Sequence, residues 1–450
     1  MTSKKKISPS TKVVLGFLIL LSIGTFLLCL PIASKNGNGL SFVDGLFTSA
    51  SAVSVTGLTV VDTATHFSIF GQIVILFLIQ IGGLGFITLT ALVFLILGKR
   101  ISYEKRLTIQ ESLNQENVQG IVKLVRNIFF LVFSIEFVGF ILLLPSMTKL
   151  YGVAQGIFKA LFTSISAFCN AGFDVFGSSG GVPLSLSTFA KDIVVILPIC
   201  FLIVLGGLGY TVLFGFLAPL KKKKMSFHSK IVLCLTLIFI ILGTLAFSVF
   251  EWNNLSTIGD MSPLCKILNS FFQSITTRTA GFNTFDIKSL TPASIVLTTI
   301  FMFVGAGPAS TAGGIKLTTL FVLMLFIFKR TNKYGDISFC KRTINSKTIY
   351  KCIKIFFVAV FLVLVSTLLL CVVQNGKFSP LECFFECVSA ISTTGLSLGI
   401  TQGLCVFSKV ILILLMFVGR VGAITLSIVL FNNSKTTKND ILYRDSKIMV

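Results

Sequence analysis

Ser54-Val55-Thr56-Gly57-Leu58 closes an apolar stretch, Phe42 to Ser54, that holds only 13 residues. The same arrangement returns three times. Asn170-Ala171-Gly172-Phe173 follows Ile157 to Cys169, Thr279-Ala280-Gly281-Phe282 follows Leu264 to Thr276 and its Thr277-Arg278 pair, and Thr393-Thr394-Gly395-Leu396 follows Leu381 to Ser392. A run of about 10 to 14 apolar residues is too short to cross a bilayer and reads as a re-entrant or buried helix. Each of these runs stands between two longer ones. The repeating unit is therefore span, half-helix, glycine loop, span, and it occurs four times in one polypeptide.

Composition places the design in a membrane. The chain of 450 residues is 54% hydrophobic and 12% charged, with a mean hydropathy of +0.95, whereas soluble domains carry about 25% charged residues. Its net charge of +22 is not spread evenly: 27 of its 38 Lys and Arg residues fall in the N-terminus up to and including Lys12, in Lys99 to Arg126, Lys221 to Lys230 and Lys329 to Lys354, and in the tail from Lys435 onward. These are alternate connections, so the positive-inside rule puts them, and both termini, in the cytoplasm of a multi-pass cell-membrane protein. The Lys221 to Lys224 run reads as a contact for anionic lipid. Nucleic acid is excluded as a partner, because no groove-reading or aromatic-interleaved motif accompanies the charge.

The map that follows is all-α, with eight spans. Repeat one occupies 1–98, with spans Lys12 to Ile32 and Ile69 to Leu97. A polar stretch, 99–120, reads as a solvated cytoplasmic helix and a docking surface. Repeat two occupies 121–219, with spans Ile121 to Leu144 and Ala190 to Pro219. Repeat three occupies 220–328, with spans Ile231 to Phe250 and Pro292 to Phe328. A second linker, 329–348, leads to repeat four at 349–431, with spans Ile349 to Val373 and Cys405 to Phe431, and a tail at 432–450. The run Val13 to Ile32 follows three lysines but is long enough to span and lacks a clean cleavage pattern, so it is kept as the first span. Eleven cysteines are scattered; Cys383 and Cys387 alone are close, and two sulfurs do not make a zinc site. Both read as buried small apolar residues.

Non-helical backbone at membrane depth survives only where protein or a water-filled cavity satisfies it. Four such loops converging on one axis would offer carbonyl oxygens to a dehydrated cation, as the four loops of a potassium channel do. Glycine permits the positive φ that aims successive carbonyls inward. Half-helices ending at the loops add the negative ends of their dipoles. The expected fold is thus four span, pore-helix, span repeats around a pseudo-fourfold central pore. Gly82-Gly83-Leu84-Gly85 and Gly206-Gly207-Leu208-Gly209, midway along second spans, read first as helix-packing sites and second as ion contacts.

Repeat three departs from the pattern. Pro292 to Phe328 counts 37 residues, about 55 Å as one helix against a hydrocarbon core of about 30 Å. In its middle stands Gly305-Ala306-Gly307-Pro308-Ala309-Ser310-Thr311-Ala312-Gly313-Gly314-Ile315-Lys316. That segment should be irregular and line the path below the loops. It lacks the Gly-Lys-Ser/Thr core of a phosphate loop. Lys316 and Arg420 are ionisable residues within or near the spans and hence functional candidates. A positive side chain about 6 Å from a cation raises its energy by about 3 kcal/mol at an effective dielectric of about 20. Arg420 therefore reads either as an electrostatic barrier or as the partner of a carboxylate, Glu136 for one, or of free carbonyls.

The four repeats, the single glycine in every loop, the broken second span of repeat three and the Arg of the last span together resemble the Trk/Ktr/HKT superfamily of cation transporters, and most of all its KtrB-type members. The resemblance covers essentially the whole chain. It implies uptake of K+ as substrate, with no cofactor bound by this chain, and leaves Na+ open as a coupling or activating ion. It also implies a homodimer seated on a cytosolic, nucleotide-binding ring of KtrA-type regulatory subunits. The filter that it implies is made of Val55, Thr56 and Gly57; Asn170, Ala171 and Gly172; Thr279, Ala280 and Gly281; and Thr393, Thr394 and Gly395. The gate that it implies is Gly305, Gly307, Pro308, Ala309, Ser310, Thr311, Ala312, Gly313, Gly314 and Lys316, with Arg420. Gly57 stands where serine accompanies a leaning toward sodium in the family, which favours potassium. A sodium or non-selective cation transporter of the same fold is the alternative; a membrane enzyme is the alternative of another class, and too few intramembrane carboxylates and histidines are present to supply one.

Overall fold

The computed structural model describes residues 9–85, 106–107, 109, 120–179, 182–183, 185–216, 225–329, 331–332, 335–340 and 342–422. The stretch 110–119, the Lys221 to Lys224 run and the tail from 423 lie outside the described residues. Four helices are long and apolar enough to cross a membrane among those described. They are α1 (Pro9–Cys29), α5 (Ile121–Tyr151), α9 (Phe227–Glu251) and α13 (Ser346–Gln374). Each is followed by a half-helix: α2 (Phe42–Ser54), α6 (Val153–Cys169), α10 (Pro263–Thr276) and α14 (Pro380–Ser392). A one-turn helix, α3 (Thr63–His66), precedes the second apolar helix of repeat one, α4 (Ile69–Leu84). The later repeats supply α7 (Ile193–Leu208) and α8 (Tyr210–Phe216), α11 (Pro292–Phe303) and α12 (Leu317–Phe328), and α15 (Val406–Val421). Two short antiparallel hairpins, at 178–183 and 337–344, are the only strands among the described residues.

Polar residues at the starts of these helices satisfy the first orphan amides. Ser41, Ser68, Asp192, Ser226, Thr291 and Asn345 each accept from a backbone N–H inside the first turn. Ser379 and Glu382 form a reciprocal capping box on α14. Three half-helices end in a left-handed residue, Val55 (φ 58°), Asn170 (φ 59°) and Thr393 (φ 53°). The ends of the elements are thus written locally, even where the apolar runs carry no helical stripe.

Half-helix and first span pack by one device, used three times. Ser49 Oγ donates to Leu21 O at 2.9 Å, Ser164 Oγ to Glu136 O at 2.6 Å, and Ser274 Oγ to Ile240 O at 3.0 Å. Three residues beyond each carbonyl stands a glycine, Gly24, Gly139 or Gly243, whose missing side chain leaves room for that serine. Small residues let the backbones close, and the hydroxyl ties them. In repeat four the matching position is Cys387, fully buried. The reading of this cysteine as buried packing holds.

The second helices also share a device. A methyl added to Gly82, Gly206 or Gly419 would overlap the carbonyl of Val53, Phe168 or Ile391, four residues before the loop glycine. Packing is therefore the role of these glycines, as the first reading had it for Gly82 and Gly206; Gly419 joins them from the structure. Three residues later α4, α7 and α15 all stop, at Gly85 (φ 81°), Gly209 (φ 91°) and Gly422 (φ 92°). The three helices end at one equivalent level, where a second glycine takes positive φ. The expected second span of repeat two, Ala190 to Pro219, is therefore interrupted at Gly209 between α7 and α8, whereas those of repeats one and four run on beyond the described residues.

Candidate functional site

The four loops meet. A methyl built on Gly57 would fall within 3 Å of Ala171 O, one on Gly172 of Ala280 O, one on Gly281 of Thr394 O, and one on Gly395 of Thr56 O. Loop one touches loop two, two touches three, three touches four, and four touches one. All four glycines have positive φ, 94°, 67°, 80° and 87°, and all four line a single cavity of about 450 Å³. Each glycine is required twice: a side chain would be strained by the left-handed backbone and would strike the next loop's carbonyl.

The residues before each glycine are buried: Val55, Thr56, Asn170, Ala171, Thr279, Ala280, Thr393 and Thr394 are at most 1% exposed. Their backbone is anchored to the half-helix behind. Thr56 N–H donates to Ser51 O at 2.8 Å, Ala171 N–H to Ser166 O at 2.8 Å, Thr394 N–H to Ser389 O at 2.9 Å, and Ala280 N–H to Thr276 O at 3.0 Å. Hydroxyls complete the mounting. The Gly57 and Gly395 amides donate to Ser51 Oγ and Ser389 Oγ, both at 3.1 Å, whereas Ser166 Oγ and Thr276 Oγ1 donate forward to Phe173 O (2.7 Å) and Phe282 O (2.6 Å). Repeats one and four add matching side-chain pairs, Ser54 with Thr56 (2.7 Å) and Ser392 with Thr394 (2.8 Å). The anchoring hydroxyls were missed in the sequence reading. Their signal is present: Ser51, Ser166 and Ser389 each stand six residues before a loop glycine.

Two residues past the glycines stand Thr59, Asp174, Asn283 and Ser397, all lining the cavity, with Asp62, Asp286 and Lys288 further out. Asp174 is the carboxylate nearest the loops in sequence. Burial pushes its carboxyl up to about 7, against a lowering by the Phe176 amide that it accepts; Asp62 raises it further and Lys159 opposes. Among the described residues no group of three metal-ligating side chains is found; beside the loop glycines the cavity is lined by hydroxyls, side-chain amides and these separate carboxylates.

On the other side of the loops lies segment 304–316, which the structure shows as non-helical between α11 and α12. It folds back on itself through the bridge of Val304 with Ile315 and is bound to repeat two at three points. Gly307 N–H donates to Gly207 O (2.8 Å), Thr311 N–H to Gly206 O (3.3 Å), and Tyr210 N–H to Ala309 O (3.0 Å). Ser310 Oγ closes a local turn on Gly307 O at 2.7 Å. Gly313 and Gly314 pack on Thr393 and Ser392, so the segment lies directly against loop four. Ala312 and Pro308 complete the run, and Ala309 takes a left-handed φ of 53°.

Lys316 and Arg420 both bond this segment. Lys316 Nζ donates to Ala312 O (2.6 Å) and Gly313 O (3.3 Å). The Arg420 guanidinium donates to Thr311 O, Gly82 O and Gly83 O. Glu136 is not its partner: Gln80 Nε2 bonds both Glu136 oxygens at 3.1 Å. The carbonyl alternative is the one realised: Gly82 O, which also accepts from the Gly85 N–H at 3.3 Å, and Gly83 O, which also accepts from the Tyr210 hydroxyl at 3.3 Å, both stand in the last turn of α4 and receive the guanidinium. Arg420 thereby joins the ends of α4 and α15 to the irregular segment.

Comparison with known proteins accords with this geometry. The chain is 39% identical over 443 residues to "Ktr system potassium uptake protein B" of Bacillus subtilis, covering 98% of this chain and 97% of that one. It is 36% identical over 456 residues to "Potassium/sodium uptake protein NtpJ" of Enterococcus hirae, covering 99% and 98%. The fold resembles that of the potassium transporter TrkH from Vibrio parahaemolyticus, with a TM-score of 0.70, 19% identity, and coverage of 96% of this chain and 86% of that one. With residues 5–438 matching the TrkH family model, described as a cation transport protein, this chain belongs to the TrkH family of cation transporters, which are not enzymes.

Proposed function

We propose that the chain is the ion-translocating subunit of a potassium uptake system in the cell membrane. The observation that carries the reading is the closed sequence of contacts among the four glycine loops around one cavity. Carbonyls of Val55, Thr56, Asn170, Ala171, Thr279, Ala280, Thr393 and Thr394, with the four glycines, form a filter on a pseudo-fourfold axis and replace the water shell of K+. Half-helix C-termini aimed at the loops reinforce the preference for a cation. Segment 305–316, clamped by Arg420 and by its own Lys316, closes the path on the far side. Both termini and the basic connections lie in the cytoplasm, where a nucleotide-binding regulatory ring engages a homodimer of this chain; the relatives named as Ktr components support that assembly.

A second reading is favoured by one specific observation. The four loops are mounted differently, two by accepting and two by donating hydroxyls, so the carbonyl ring is not symmetric, and one relative is named for both potassium and sodium. Admission of Na+ alongside K+ is the outcome that this asymmetry would produce.

The test is K+ uptake at low external concentration in cells lacking their own uptake systems, for the parent and for Gly281→Ser, with and without a cytosolic regulatory subunit. Serine there must hold a positive φ at a cost of about 1 kcal/mol and crowds Thr394 O. Discrimination against Na+ should fall about tenfold. Unchanged ion preference in a correctly inserted variant would overturn the filter.

A further inference from the structure

A second cavity, about 280 Å³, lies between the two halves of the broken span and repeat four. Its charged lining is Lys316, Lys351 and Arg420, and among the described residues no carboxylate lines it. Such a place is odd in a protein built to attract cations. Elsewhere the wall is apolar, from Phe303 and Ile315 to Ile355, Ile391 and Val418. The N-terminus of α12 opens there too: its cap residue is Lys316, without a side-chain cap, and Thr319 of its first turn lines the wall. The positive end of that helix dipole adds to the three cations.

We infer that this cavity binds the phosphate head of an anionic phospholipid, with the start of an acyl chain on the apolar wall. Charge complementarity selects the anion, and the apolar wall selects a lipid over a soluble phosphate. The three cations arrive by different routes. Lys316 and Arg420 are half-buried and already donate to carbonyls of segment 311–313 and of α4. Lys351 is exposed on the second turn of α13, where a headgroup entering from the cytoplasmic leaflet would first meet it. A bound phosphate would draw Lys316 and Arg420 toward itself and so compete with the carbonyls that hold the irregular segment in place. The site shares no residue with the Lys221 to Lys224 run, which lies outside the described residues.

The binding stands independently of the filter and gate reading; its effect on flux rests on that reading, and separate measurements distinguish the two. Full-length protein is exposed to equal amounts of phosphatidylglycerol and phosphatidylcholine, and retained lipid is read by native mass spectrometry. Phosphatidylglycerol should be retained preferentially. Lys351→Glu, a change of two charge units, should lower its retention about thirtyfold, and Lys351→Gln, which removes one, about fivefold. Lys222→Glu, the same charge change in the Lys221 to Lys224 run, is the control. Equal loss in Lys222→Glu and Lys351→Glu, or equal retention of the two lipids, overturns the site. Retention of radiolabelled inorganic phosphate as strong as that of the lipid assigns the cavity to a soluble anion and overturns the lipid. Rubidium flux into vesicles with and without phosphatidylglycerol should respond to the lipid in the parent and lose that response in Lys351→Glu. Retained lipid with no response in the parent overturns the link to the gate.

Discussion

At the scale of single residues, position decides what a glycine is worth. Gly395 and Gly376 both have positive φ, 87° and 79°. Gly395 faces Thr56 O, whereas nothing lies within 4 Å of the site where a Gly376 side chain would begin. Gly395→Ala should therefore abolish uptake while the chain still inserts, and Gly376→Ala should cost about 1 kcal/mol of stability with uptake intact; uptake assays on the two, beside thermal unfolding in detergent, check the contrast. Asp174 yields a second residue-scale prediction. Its carboxyl sits at about 7 rather than 3.8, so the neutral form is the one the fold prefers. The stability that this contributes is present below the unfolded value and lost as pH rises through about 7. Its charge at the mouth of the loops has the opposite dependence: as pH falls from about 8 to about 6, the cavity loses a negative charge and apparent K+ affinity should weaken. Asp174→Asn should remove most of that slope, measured as KM for uptake against pH.

Among elements, the revealing case is the second helix of each repeat. The 37-residue run of repeat three was legible as broken from length alone, and its Gly-Pro-Gly content located the break. The stops at Gly85, Gly209 and Gly422 were not legible in the same way. Apolar residues continue past each, and a single glycine inside an apolar run reads equally well as packing, which Gly82, Gly206 and Gly419 in fact perform. Telling the packing glycine from the terminating one three residues later takes φ angles. The half-helices were read closely in three repeats, but α6 begins at Val153, a turn before the expected Ile157, because Val153 to Gly156 is helical without being strongly apolar. Arg420 uses one of these helix ends: carbonyls in the last turn of α4, with Thr311 O of the irregular segment, receive its guanidinium. Arg420→Lys keeps the charge and loses the planar fork, so it should release segment 304–316 in part and raise basal flux. Rubidium efflux from vesicles without any regulatory subunit measures this; a flux equal to that of the parent would mean that the segment is held by its bonds to repeat two alone.

For the whole molecule, closure is the feature that ties the repeats together. Loop four touches loop one, and the same two repeats are joined by Lys409 Nζ, 2.6 Å from Asp44 Oδ1, between α15 and the start of α2. The two side chains are 14% and 25% exposed, sheltered enough that a double-mutant cycle of Lys409→Met and Asp44→Asn should give a coupling of about 1 kcal/mol. The existence of four repeats was open to reading because span, short run and glycine recur in order. Which loop would contact which was not, since a linear repeat contains nothing that orders its copies around an axis. The hydroxyl mountings show the copies grouped in pairs, one with four and two with three, a relation that spacing does not carry, since Ser166 stands six residues before its glycine just as Ser51 and Ser389 do, and that becomes visible only once the direction of each hydrogen bond is known.

Closure also bears on synthesis. A ribosome releases the four loops one after another, and each glycine is shielded by the carbonyl of a neighbour, the last of them supplied only when residue 395 has been made. A chain that ends earlier has a gap in its ring of contacts, with Thr394 O missing beside Gly281 and Gly395 missing beside Thr56 O. If the loops form the filter proposed above, unfinished copies lack one carbonyl row and should carry no selective K+ flux, so the order in which the chain emerges reserves selective uptake for copies that reach the fourth loop.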